Sequence, residues 1–559
     1  MPQSTLSLRR VLELLPRPLD AAQLEEVLFR SKAELADLTG DALKIEVTAD
    51  RLDLLSEGGL GLHLAGATGA AHGLPPMPRG RSAEPLDILC SASVASLRPV
   101  ISGVVLEAPQ DAPLDDGLLA EAVRFQELLH ATVGRDRRLA SLGLYPLERL
   151  EGPVTYALEP LESVRFVPLD GTAEVGAREF FETHALAARY GAYGRTESAC
   201  LTLRDAQGRI LSLPPVLNAR SSGEARPGDR RLLLESTGTL QGRVEDAVAL
   251  LALVFVARGW RSSEVRVRGP ESGAVPGDPL RTRSIPLTEA TLRAMAGEGL
   301  PANEVVHALG QARLSGRAGP GGWQVEVPPW RPDLLAEVDL VEEVLLARGL
   351  HVESGILPPT RTRGHRRPET RFRYRVGELL LGLGFTPLYS TVLVGGALVR
   401  QLGRTGAIEV ANPVSELYSH LRDGLLVSLV GSLGRNVRHG YPQRLSEVGP
   451  VLLRDPEAEP GAATRYHAGV VLASESAGFA DAAATVDYLL GALGTMGVRE
   501  PLDLPGVIPG RGARVRLAGE TVAELGEVHP AVLHELSIPV PVVWAELDLS
   551  RLWPLLARA

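Results

Sequence analysis

Four acids near residue 340 are the first candidates for chemistry in this 559-residue chain. Asp333, Asp339, Glu342 and Glu343 follow the stiff run Pro328-Pro329-Trp330-Arg331-Pro332, and Gly349 closes the stretch. Prolines 328, 329 and 332 favour an extended entry, because a proline pushes the residue before it out of the helical region. Asp333 reads as the N-cap of a helix in which Leu334, Val338, Val341 and Leu345 recur at helical spacing, with Gly349 as its C-cap. Asp339, Glu342 and Glu343 then stand at i, i+3 and i+4, so their carboxylates crowd one side. A hard cation such as magnesium would neutralise them. The alternative is an acidic first turn that complements the helix dipole.

A second set of polar side chains lies between residues 201 and 239. Leu201 to Leu203, the turn Asp205-Ala206-Gln207-Gly208 and the run from Ile210 read as a hairpin halted by Pro214-Pro215. Ser212 and Asn218 could present a hydroxyl and an amide at that halt. Glu235 ends the apolar run Leu232-Leu233-Leu234 and precedes Ser236-Thr237-Gly238-Thr239, a pattern that ordinary strand-end turns also explain. His130 follows the apolar face of a helix over 118–133 and reads as a structural histidine. Arg135, Arg137 and Arg138 make a compact basic spot, either plain surface or a contact for phosphates.

The elements that must position these groups are mixed. An amphipathic helix carrying Leu6, Val11, Leu12 and Leu15 opens the chain, followed by a strand at Ile45 and Val47 and a small-residue helix from Ser56-Glu57. Breakers from Gly73 to Pro85 mark a boundary, and the Gly-, Pro- and Arg-rich stretch 269–285 marks another. Helical patterns over 287–295 and 303–309 precede a strand at 323–327. After 350 comes a basic, proline-broken linker with Arg361, Arg363, His365, Arg366 and Arg367. The last 190 or so residues alternate helix and strand as one α+β domain: a helix over 372–383, another ending at Asn436, strands at 444–449 and 542–549, and tight turns at 508–514 and 526–530. Arg422, Arg511 and Arg514 could touch phosphate there, yet the glycines at 506, 510 and 512 form neither a phosphate-cradling loop nor a dinucleotide fingerprint.

Composition sets the limits. A chain this long exceeds a single core. Its 45% hydrophobic and 23% charged residues are ordinary for a globular protein, and no apolar run is long enough to span a membrane. The first residues lack the apolar centre of a signal peptide. Two cysteines, Cys90 and Cys200, exclude a disulfide framework and fit a reducing cytoplasm. A net charge of −10 disfavours nucleic acid globally but not through a local basic face.

The string VPPWRPDLLAEVDLVEEVLLARG resembles the signature of the small nucleic-acid-binding-like domain in the β subunit of phenylalanine–tRNA ligase. Other strings resemble the same family in the same order. IEVTADRLDLLSEG, with Asp50 where asparagine is usual, is read as an interdomain packing element. FQELLH with GRDRR, LSLPPVLN and STGT resemble the editing domain of the archaeal and eukaryotic type. The resemblance implies an α+β multidomain fold: an N-terminal α/β module (1–85), a mixed tRNA-editing domain (86–268), a small magnesium-binding domain with the acidic helix (269–350), a basic linker (351–370) and a class II synthetase-like antiparallel sheet with helices, catalytic-like but inactive (371–559).

It further implies that Asp333, Asp339, Glu342 and Glu343 hold Mg2+, and that Leu203, Ser212, Asn218 and Glu235 line an editing pocket. Glu235 would accept the phenol proton of a mischarged tyrosine, while Ser212 and Asn218 hold the ester end or its water. Such a pocket is needed because an apolar site shaped for phenylalanine discriminates weakly against one added hydroxyl. An α-subunit partner in an (αβ)2 heterotetramer, tRNA(Phe) and ATP-dependent charging on α complete the expectation. One departure stands out. Where the family reads G-I-H-D-L-D, this chain has Gly143-Leu144-Tyr145-Pro146-Leu147-Glu148. A stand-alone hydrolase of mischarged tRNA and a non-catalytic paralogue are the rival readings.

Overall fold

The computed structural model describes residues 2–80, 85–269, 277–297, 300–349 and 362–558. The chain divides into two compact units, 1–357 and 358–559. The stretches 269–285 and 351–370, both read as linkers, and the breaker segment 73–85 fall partly outside the described residues.

The first unit begins with a three-stranded antiparallel sheet in the order Gln3–Ser7, Ala42–Val47, Ala33–Thr39. Leu6 is therefore on a strand, and only Leu8–Leu12 is helical, against the expected longer helix. The reason is local. Ser4 and Leu6 alternate inward as an edge strand paired to Ile45 and Leu43, and the Ser7 side chain then caps the short helix by accepting the Arg10 N–H. Helix Glu57–Ala67 starts at Ser56, whose hydroxyl accepts the Gly59 N–H. It packs on helix Gln241–Val256 so closely that a Cβ at Gly58 would lie 3.1 Å from the Val254 Cα. One apolar core accordingly runs from Leu43, Ile45 and Leu60 through Phe125 to Leu234 and Leu250, joining 1–85 to 86–268.

Nine strands make the central sheet. In spatial order they are Leu217–Asn218, Ile210–Leu213, Ala199–Arg204, Val154–Pro160, Leu86–Cys90, Arg261–Arg268, Val100–Glu107, Arg231–Gly238 and Ala140–Pro146. The Arg261–Arg268 strand is the bend: residues 261–264 pair with Val100–Glu107, while 265–268 pair with Leu86–Cys90. The two ends of the sheet consequently approach each other, and side chains bridge them. The small three-stranded sheet that follows, Arg283–Thr288, Gly322–Val327 and Ser315–Gly319, packs under helices Glu289–Ala296, Ala302–Gln311 and Glu337–Arg348 around Val305, Val325 and Val341.

The second unit is a seven-stranded sheet in the order Thr386–Pro387, Gln443–Arg454, Ala462–Ala473, Val542–Asp548, Glu520–Val528, Val507–Leu517, Val498–Pro501. All neighbours are antiparallel except the first pair. Ala468, Val470 and Leu472 enter one core with helices Pro368–Gly382 and Phe479–Ala492; Val471 and Ala473 enter another with Leu426–Arg435. Both faces are covered, so this strand reads as a continuous apolar run. Residues 508–514, expected as a tight turn, lie within the Val507–Leu517 strand as a bulge: pairing jumps from Val507–Val528 to Gly512–Gly526, and Gly510 takes φ +74°.

Candidate functional site

The acidic stretch folds around Arg331. Its backbone N–H reaches the Pro328 carbonyl, and its buried guanidinium donates to Asp333 (3.0 and 2.8 Å) and to Glu343 Oε1 (2.7 Å). Asp333 is thus a partner of arginine, not a helix cap. The helix starts later, at Glu337, and it is Asp339 that closes its N-terminus by accepting the N–H groups of Leu335 and Ala336 (2.7 and 2.8 Å). Gly349 ends the helix with φ +86°. Burial pushes the Glu343 carboxyl up, but the Arg331 and Arg51 charges overcome it and hold its pKa down at about 2.

The N-terminal module supplies the other partners. Arg51 donates twice to Asp53 (2.9 Å each) and lies 3.9 Å from Glu343. It also contacts Nδ1 of His63, whose pKa falls to about 3 through burial and the Arg51 charge, leaving it neutral. Lys32 donates to Asp50 (3.0 Å) and to Glu342 (2.6 Å), so the acid at position 50 adds a charge to a contact that an asparagine oxygen could only accept.

The expected magnesium set does not fit this geometry. Two of the four acids are engaged by guanidinium, one by lysine and one by backbone amides. Among the described residues no group of three or more His, Cys, Asp or Glu could hold a metal ion. The neutralisation that crowded carboxylates demand comes from arginine and lysine. Beside Arg51, His63 and Glu343 lies a space of about 20 Å3, enough for little more than a water.

The second site lies where the ends of the nine-stranded sheet meet. A cavity of about 350 Å3 is lined by Tyr145, Ser212, Asn218 and Glu235 together with Gln126 and His130. Register explains the convergence. Glu235 pairs with Gly143 across the Arg231–Gly238 and Ala140–Pro146 strands, Tyr145 lies two residues on and shares that face, and Ser212 pairs with Asn218 at the opposite end of the sheet. Asn218 Nδ2 donates to the Gly223 carbonyl (3.0 Å). Leu203 is fully buried in the apolar cluster that contains Tyr145 and is not part of the cavity wall. The hairpin expected around it forms, with strands Ala199–Arg204 and Ile210–Leu213.

Glu235 is 3% exposed, and burial pushes its pKa up to about 7, with the Tyr145 hydrogen bond and the Arg98 charge pulling back only part of the rise. The Tyr145 hydroxyl stands 2.9 Å from Glu235 Oε1 and 2.9 Å from Ser212 Oγ. Its one proton goes to the carboxylate, and the freely rotating Ser212 hydroxyl donates back. Glu235 Oε2 lacks a hydrogen-bond partner. His130 is structural, as expected: Nε2 accepts the Leu142 N–H (2.9 Å) and Nδ1 faces Glu127 (3.1 Å).

Arg137, from the basic spot, is buried and donates to the carbonyls of Pro215 and Val216 and to Glu127, while Arg135 and Arg138 stay exposed. Arg98 was not visible from its sequence context. It is wholly buried, ties Ser141 to both the hydroxyl and the carbonyl of Thr237, and so fixes the two strands that carry Tyr145 and Glu235. In the second unit Arg422 pairs with buried Glu447 (2.8 Å), Arg511 with Glu527 and Arg514 with Glu500.

The family model of the tRNA synthetase B5 domain matches residues 285–350, and that of the phenylalanyl tRNA synthetase beta chain CLM domain matches residues 355–549. The phenylalanine–tRNA ligase beta subunit of Korarchaeum cryptofilum is 30% identical over 548 residues, 97% of either chain. That of Aeropyrum pernix is 32% identical over 540 residues, 95% of either chain. An N-terminal fragment of the phenylalanyl-tRNA synthetase beta subunit from Pyrococcus horikoshii shares the fold, with a TM-score of 0.58 at 23% identity over 62% of this chain and all of the fragment. With relatives at this identity matched over nearly their whole length, the chain belongs to the family of phenylalanine–tRNA ligase β subunits.

Proposed function

We propose that this chain pairs with an α subunit in an (αβ)2 heterotetramer that charges tRNA(Phe) with phenylalanine in the cytoplasm, the ATP-dependent step taking place on α. The α subunit would seat on the 388–418 stretch of the second unit, which leaves Tyr389, Val414, Leu417 and Tyr418 exposed. Glu342 and Glu343 serve as fastenings between the small domain and the N-terminal module through Lys32 and Arg51, while Asp333 and Asp339 hold Arg331 and the helix N-terminus in place within the small domain.

In the same reading, the cavity at the meeting of the sheet ends hydrolyses tyrosyl-tRNA(Phe). The observation that carries this is Glu235, a buried carboxyl with an unpartnered oxygen on a cavity it shares with Ser212 and Asn218. A phenol donating to that carboxylate would be distinguished from phenylalanine, which leaves the buried acceptor unpaired. Ser212 and Asn218 would orient the ester and the attacking water. Water adds to the ester carbonyl, the bond to the ribose oxygen breaks, and the proton released by the water ends on that oxygen.

The test is deacylation of tyrosyl-tRNA(Phe) by the chain co-expressed with α, beside Glu235→Ala. Hydrolysis that disappears in the variant supports the reading; phenylalanine charging without any hydrolysis refutes the editing part. The non-catalytic paralogue has one observation in its favour, the Tyr145 hydroxyl already seated on Glu235.

A further inference from the structure

We infer that Tyr145 occupies the place of the tyrosyl side chain in this cavity and thereby sets how readily the site accepts its substrate. The inference rests on the editing reading above and goes further by assigning a role to a residue that departs from the family pattern.

A pocket that selects tyrosine needs an apolar slot for the ring and a buried polar group for the phenol oxygen. Both are present, and Tyr145 uses both. Its ring lies in the buried cluster with Leu203, and its hydroxyl meets Ser212 Oγ and Glu235 Oε1 at 2.9 Å each. The strand makes room for this arrangement: a Cβ at Gly143 would lie 2.2 Å from the Tyr145 hydroxyl and 2.5 Å from Glu235 Oε1. Histidine, the family's residue at this position, is shorter and has no phenol to place there. Two phenols cannot fill one slot, so a tyrosyl ester that takes this slot must turn Tyr145 out before it reaches Glu235 Oε1. Turning it out breaks the contacts to Glu235 and Ser212 and exposes a ring that is 1% accessible at rest. Tyr145 is thus a specificity-determining residue that acts as an intramolecular competitor.

The experiment uses the full chain in complex with α, as wild type, Tyr145→Ala and Tyr145→His, with Glu235→Ala added to each. Binding of a non-hydrolysable tyrosyl-adenosine amide is measured by calorimetry, and deacylation of tyrosyl-tRNA(Phe) by single-turnover kinetics. Co-purification with α and a thermal melt confirm folding, and histidine serves if alanine leaves too large a void. Both substitutions are expected to tighten amide binding by about tenfold or more, the worth of one net hydrogen bond, and to speed deacylation in a Glu235-dependent way. Wild-type binding as tight as that of both variants overturns the inference while leaving editing intact, because the substrate phenol would then be using Glu235 Oε2 beside an unmoved Tyr145. Absence of binding and hydrolysis in every protein overturns the editing reading and the inference with it.

Discussion

Replacing Arg331 with methionine tests the claim that guanidinium, and not a metal, neutralises the acidic motif. The substitution keeps much of the side chain's bulk but strips Asp333 of its cation and leaves Glu343 with Arg51 alone, at 3.9 Å. The cost follows from the carboxylate's own titration. Glu343 falls from 4.5 to about 2 in the folded protein against the upward push of burial, worth about 3.5 kcal/mol in all, and Arg331, the larger of the charges that hold it down, supplies most of that. Breaking a buried ion pair by removing one partner costs about 3–5 kcal/mol in general, the same range. Because the folded pKa is depressed, this stabilisation is fully present above pH 4.5 and fades as the pH falls toward 2. The gap between wild type and variant should therefore narrow in acid.

Urea titration of the αβ complex, read through tryptophan emission, reports on this region because Trp330 sits beside Arg331. At pH 7 Arg331→Met should lose about 3 kcal/mol, while dialysis of the wild type against a chelator should change nothing. A wild type that unfolds at lower urea once magnesium is removed, together with an Arg331→Met loss below about 0.5 kcal/mol, would refute the reasoning.

Glu235→Gln should raise the melting temperature at pH 8 more than at pH 5. The folded pKa of about 7 lies above the usual 4.5, so the wild type loses up to about 3 kcal/mol as the pH rises through that window, and a neutral amide loses none. A pH-independent difference would contradict the burial argument. Leu417→Glu and Val414→Glu should reduce co-purified α by tenfold or more at equal expression, as charge placed at the centre of an interface does; retention of α would move the docking face elsewhere. Phe125→Ala, in the core shared by the first 268 residues, should cost about 3–5 kcal/mol in urea unfolding of that unit.

Local signals survived into the structure where neighbours in sequence decide the outcome. Ser56 caps its helix, Gly349 ends another with positive φ, and the hairpin from Ala199 stops before Pro214-Pro215. Expectations failed where a competing partner decides. Asp333 has the right chemistry for a cap but meets Arg331, two residues before it, and Glu342 finds Lys32, 310 residues away. The run from Ile508 to Arg514 has the residues of a turn, yet its strand partner at 526 absorbs the extra length as a bulge. The candidate cavity was legible through the string resemblance at Ser212, Asn218 and Glu235. Arg98 gave no sign, because a single arginine bound only to hydroxyls and carbonyls leaves no pattern in spacing.

The two outermost strands of the seven-stranded sheet bear on how the chain survives before it meets a partner. Thr386–Pro387 and Val498–Pro501 are two and four residues long, and each finishes in a proline, which has no N–H to offer an incoming strand. Both edges of this sheet are thereby poor templates for a strand from another chain. A partner docking on this sheet would do so by side-chain packing and not by adding its backbone to the row.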